Sequence, residues 1–77
     1  MIDKGWARVP QDLIAAAIDW QADLDNPFVF HADHGGVHWT LKVNDFPEQV
    51  MFSLFRSDAL VAEFDNRPSG WHMHRER

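Results

Sequence analysis

The sequence predicts an α+β fold in which one N-terminal helix packs on a four-stranded antiparallel meander sheet. Two patterns predict it. From residue 37 to 43, apolar Val37, Trp39, Leu41 and Val43 alternate with polar His38, Thr40 and Lys42. A period of two marks a strand with one buried and one wet face. Upstream, Leu13, Ile14, Ala17, Ile18, Gln21 and Leu24 recur at helical spacing, with Trp20 on the flank. That stripe is what a helix needs to cover one side of a sheet.

Taken in order, residues 1–9 form a lead-in segment whose Trp6 is expected to pack on the domain. Pro10 is placed at the first helical position, where its missing N–H is no loss. Gln11 and Asp12 suit the positive end of the helix dipole, and Ala15, Ala16, Ala17 and Ala22 add helix propensity. The stretch Asp25-Asn26-Pro27 ends the helix, since the residue before proline is pushed out of the α region. Phe28, Phe30 and Ala32 then alternate with Val29, His31 and Asp33 as a first strand.

Asp33-His34-Gly35-Gly36 reads as a hairpin turn, because glycine reaches positive φ without strain. Two registers keep the apolar faces matched. A His34-Gly35 turn sets His31 opposite His38, and a Gly35-Gly36 turn sets Asp33 opposite His38. Both shift the pairing by an even number, so the apolar pattern does not choose. After the second strand, Asn44 or Asp45 seeds a turn, Pro47 stiffens it, and Phe46 is expected to tuck under the sheet edge.

The third strand, residues 50 to 55, is apolar on both faces apart from Ser53, and the fourth, Leu60 to Phe64, repeats the pattern. A second apolar face needs a cover. Trp6, Trp71 and Met73 are the candidates within the chain. The alternative is a homodimer interface formed by Met51, Phe55 and Val61. Trp71-His72-Met73-His74 alternates briefly, and residues 72–77 are expected to fray.

The 77 residues make one domain, 1–77, without room for a second core. Four tryptophans and six phenylalanines supply large buried area, and the absence of cysteine excludes disulfides and thiolate zinc sites. No apolar run approaches the roughly 20 residues that span a bilayer. The N-terminal residues do not resemble a signal peptide, so the expected location is the cytoplasm.

The formal charge is −5, and no Lys or Arg lies between Arg8 and Lys42. Such a chain is poorly suited to nucleic acid, whose phosphates call for clustered cations. Asp12, Asp19 and Asp23 share the polar side of the expected helix and form the candidate surface for a basic protein partner. Asp19 and Asp23 are like charges four residues apart near the negative end of the dipole, an unfavourable pairing for a plain solvated face.

Five histidines raise a metal reading. His31, Asp33 and His38 gather at the hairpin and could hold zinc or nickel, but their spacing matches no standard signature, so no metal or other cofactor is assigned. His72 and His74 form a second pair near the terminus. Ser53, Ser57 and Ser69 lack the glycine-flanked elbow of a nucleophile, and no glycine loop is built to cradle phosphate. The chain reads as non-enzymatic. Its expected role is binding of a macromolecule, such as that of a modulator or inhibitor. The alternatives are a metal- or small-ligand-binding module on the hairpin and a self-assembling structural domain.

Asn44-Asp45-Phe46-Pro47-Glu48, the run Phe64-Asp65-Asn66-Arg67-Pro68 and the following Trp71 resemble a group of small bacterial proteins of unknown function. Those carry an Asn-Asp-Phe-Pro turn, a Phe-Asp-x-x-Pro turn and a nearby tryptophan. The resemblance covers about residues 37 to 71, and this chain departs from it in having no tyrosine in the third strand. It implies a bacterial or phage-related origin and a shared fold, with no activity attached.

Overall fold

The computed structural model describes residues 6, 8–45, 48 and 50–74. Its main feature is a six-stranded mixed sheet, which replaces the expected helix on a four-stranded antiparallel sheet. Among the described residues one short helix, α1 (Gln11–Ala15), precedes the strands β1 (Ile18–Ala22), β2 (Val29–His34), β3 (Val37–Val43), β4 (Phe52–Arg56), β5 (Ala59–Phe64) and β6 (Trp71–His74). Their spatial order is β5-β4-β3-β2-β1-β6. The neighbours from β1 to β5 run antiparallel, while β1 and β6 pair in parallel, with Ile18 beside Trp71 and Trp20 beside Met73.

The helix ends at Ala15 rather than near Leu24 for a physical reason. Ile18, Trp20 and Ala22 face inward while Asp19 and Gln21 face out, and this alternation lies hidden within the helical stripe. β-branched Ile18 and aromatic Trp20 favour a pleated surface. Two strands, β2 and β6, then compete for the same backbone and win. Pro10 stands at the N-cap rather than inside the helix, and its carbonyl accepts from the N–H groups of Leu13 and Ile14. Ala16 is already extended.

The sheet curls until its two ends meet. Phe64 on β5 and Trp71 on β6 stand at opposite ends of the strand order, yet their rings lie 5.9 Å apart edge to face. Trp20 packs on Trp71 at 5.1 Å, and Phe52 on Phe64 at 5.7 Å. One apolar cluster fills the concave side, with Phe30, Leu41 and Leu54 fully buried in it. The α1 segment closes one end of the trough, where Trp71 Nε1–H donates to the Leu13 carbonyl at 2.9 Å.

The covering of the outer face also differs from expectation. Trp71 and Met73 belong to the inner side, and Trp6 packs against the core while its indole N–H donates to the Asn66 carbonyl. Ser53 of β4 points outward but is buried, held between Asn44 Nδ2 at 2.8 Å and Glu63 Oε2 at 3.5 Å. His72, Met73 and His74, expected in a frayed tail, form part of β6. Phe46 and residues 75–77 lie outside the described residues.

The hairpin register is the Gly35-Gly36 one. Asp33 pairs with His38 and His34 with Val37. Both glycines have positive φ, +62° and +76°, as a two-residue type I′ turn requires.

Candidate functional site

Alternation along β1, β2 and β3 puts polar residues together on the convex face. Asp19, His31, Asp33, His38 and Thr40 all point there, with Asp23 just beyond the end of β1. Four of them form a continuous chain. Asp23 Oδ1 accepts from His31 Nε2 at 2.8 Å, His31 Nδ1 lies 3.2 Å from His38 Nε2, and His38 Nδ1 donates to Asp33 Oδ1 at 2.8 Å. The two ring planes are inclined by only 26°, with centroids 5.2 Å apart. Thr40, directly opposite His31 in the ladder, brings its hydroxyl to 3.4 Å from His31 Nδ1.

The Gly35-Gly36 register was expected to separate His31 from His38. They meet nonetheless, because residues diagonal across an antiparallel pair remain within reach of long side chains. Asp23 is the member that sequence reasoning missed, having been assigned to a helix. Its carboxyl is held below the usual value of 3.8, chiefly by the hydrogen bond from His31 and then by that from the Asp25 backbone N–H.

The three aspartates expected to share one helix face occupy three places. Asp12 lies on α1 with its carboxylate 3.8 Å from His34 Nε2, Asp19 on β1 bonds His74 Nε2 at 3.0 Å, and Asp23 joins the histidine chain. Only Asp19 and Asp23 share a face. Four of the five histidines thus each stand beside an aspartate. Among the described residues, no group of three or more metal-ligating side chains is gathered around one point.

Met51, Phe55 and Val61 do not form one strip. Met51 packs toward the core and lines an open groove of about 360 Å³ with Asp65, Arg67 and Trp71. Phe55 is paired instead with Leu60, which is 53% exposed, and an irregularity in the ladder leaves Val61 as the extra residue beside them. The outer edge of β5 has no partner strand among the described residues.

The β1–β2 loop carries the largest surprise. Leu24, assigned by spacing to the buried stripe, is 93% exposed, and Phe28 is 57% exposed. The loop is well tied. Asp23 Oδ2 accepts from the N–H groups of Asp25 and Asn26, Asn26 Oδ1 accepts from Phe28 N–H, and Asp23 N–H donates to the Val29 carbonyl at 2.7 Å. The Asp-x-Asp-Asn-Pro composition was the available signal, since Asp and Asn side chains cap turns in this way.

No helix among the described residues is long and apolar enough to cross a membrane. Neither a family model, nor a curated protein, nor a solved structure matches the chain.

Proposed function

We propose that this chain is a non-enzymatic domain that acts by binding another protein through its β1–β2 loop. One observation carries the reading: Leu24 and Phe28 stand in solvent on a backbone already fixed by hydrogen bonds. Apolar side chains on a preorganised loop lose little entropy on docking and make good anchors. Asp19 and Asp25 are exposed nearby in sequence, and the formal charge is −5. The fitting partner offers an apolar cleft with a basic rim, which would also hasten encounter.

The test is a Leu24→Ser, Phe28→Ser double variant. Both positions are exposed, so stability should change by no more than about 0.5 kcal/mol for each. Cross-linking in cells, read by mass spectrometry for wild type and variant side by side, should show a partner that disappears with the variant. A partner retained undiminished by a folded variant would defeat the loop reading.

A second reading draws on β5. Its edge, unpartnered among the described residues, carries exposed Leu60, paired with Phe55 on β4, and self-association through this edge would cover Leu60. Sedimentation of the wild type across a concentration series separates a homodimer from a monomer that docks on something else.

A further inference from the structure

We infer that His31 and His38 form an open two-imidazole clip for a divalent transition-metal ion. The argument starts from the outer ends of the pair. An ionised carboxylate only accepts hydrogen bonds. Asp23 therefore places a hydrogen on His31 Nε2, and Asp33 places one on His38 Nδ1. Each neutral imidazole has one ring hydrogen, and in both it is now spent on the far side. The two remaining nitrogens, His31 Nδ1 and His38 Nε2, carry lone pairs and lie 3.2 Å apart. Two lone pairs at that distance repel; the Thr40 hydroxyl, 3.4 Å from His31 Nδ1, can donate to one of them, and a cation between the nitrogens relieves both. A proton is the smallest such cation, and a metal ion is the other.

The spacing suits a metal. Zn–N bonds of 2.0–2.1 Å in a tetrahedron put two imidazole nitrogens about 3.3 Å apart. The carboxylates behind the rings supply what metal-bound histidines ordinarily have, a hydrogen-bond acceptor that fixes tautomer and ring orientation. The frame is stiff, because both residues sit on adjacent strands within the sheet. Access is open: the His38 side chain is 51% exposed and that of His31 34%. Two nitrogens do not close a coordination shell, so water completes it, with the Thr40 hydroxyl at the same edge. Neutral imidazoles in an open site favour Cu(II) over Ni(II) and Zn(II). Where a proton bridges the two nitrogens, the entering ion displaces that one proton to solvent and leaves both outer hydrogen bonds intact.

The molecule contains its own control. His72 and His74 on β6 are also close, with rings 6.4 Å apart, but among the described residues only His74 of the two bonds an aspartate, Asp19. Calorimetric titration of the full chain with copper, nickel and zinc chlorides at neutral pH should give one site that fills before any other, tightest for copper. His31→Ala and His38→Ala should each abolish that site, and Asp33→Asn or Asp23→Asn should weaken it about 10- to 100-fold. A His72→Ala, His74→Ala double variant should keep it. Copper should broaden the imidazole NMR signals of His31 and His38 first. Circular dichroism of the metal-free variants checks folding, and should His31→Ala fail to fold, the more exposed His38→Ala decides. The clip is overturned if the site survives a folded His38→Ala variant, if the β6 double variant removes it, or if no ion binds at millimolar concentration.

Discussion

Phe30 and His31 are consecutive residues of β2 and meet opposite demands. Phe30 has no solvent exposure and sits in the aromatic trough, where what counts is filled volume. His31 is half-buried on the convex side, where Asp23 holds one ring nitrogen and the other faces the Thr40 hydroxyl and His38. The same contrast runs along β1, between Trp20 inside and Asp19 outside. The inner face is a packing problem solved by shape, and the outer face is a valence problem solved by hydrogen bonds. Loss of an inner side chain should therefore cost far more than loss of an outer one.

Trp71→Ala tests this most severely. It removes the ring that touches both Trp20 and Phe64 and strips the Leu13 carbonyl of its indole donor. The expected loss is about 3–5 kcal/mol by urea denaturation. A domain of this size holds roughly 4–12 kcal/mol in all, at about 0.05–0.15 kcal/mol per residue. A loss below about 1 kcal/mol would mean that closure of the sheet is not what secures the core.

Gly70→Ala asks a narrower question about the same seam. A Cβ at Gly70 would lie 2.9 Å from the Ala16 carbonyl oxygen, which is backbone and has little room to give. Overpacking of this kind costs about 1–3 kcal/mol. Unchanged stability would show that the junction between α1 and the β5–β6 connection is looser than the core it borders.

Asp23→Asn should have the smallest effect, and one confined by pH. The folded carboxyl titrates below its ordinary 3.8, so its stabilisation is complete above that value and is lost as pH falls through the lower folded value. Asn at this position lacks the contribution at every pH. The melting-temperature gap between wild type and variant should be present at neutral pH and narrow as pH drops below 3.8. A gap that persists unchanged into acid would show that charge on Asp23 is not what the His31 bond recognises.

The legibility of the chain follows the same division. Alternation in residues 37 to 43 marked β3 plainly because one face is apolar and the other polar. Residues 11 to 24 satisfied both a period of 3.6 and, from Ile18 on, a period of two. What chose between them was β2 on one side and β6 on the other, neither of which is local. The hairpin register stayed open for reasons of parity. Of the candidate site, the cluster of His31, Asp33 and His38 could be read from the sequence. Asp23 could not, since a helix ending near residue 24 directs that carboxylate elsewhere. Leu24 was misplaced by the same error, which turned a displayed side chain into a supposed core residue.

The parallel pairing of β1 with β6 sets an order in time. The strands from β2 to β5 are each joined to the next by a short connection, so their pairing closes only small loops. Trp71 and Leu13, by contrast, are 58 residues apart in the chain. Closing that distance costs more entropy and is rewarded only at the end. The meander therefore has an entropic head start, and β6 is the last strand with reason to dock. Until it does, the inner faces of β1 and β5 remain wet, and Trp20 has no Trp71 to lie against. Indole fluorescence during refolding follows this step directly, and a single phase in which all tryptophans are buried together with the first hairpins would contradict the order.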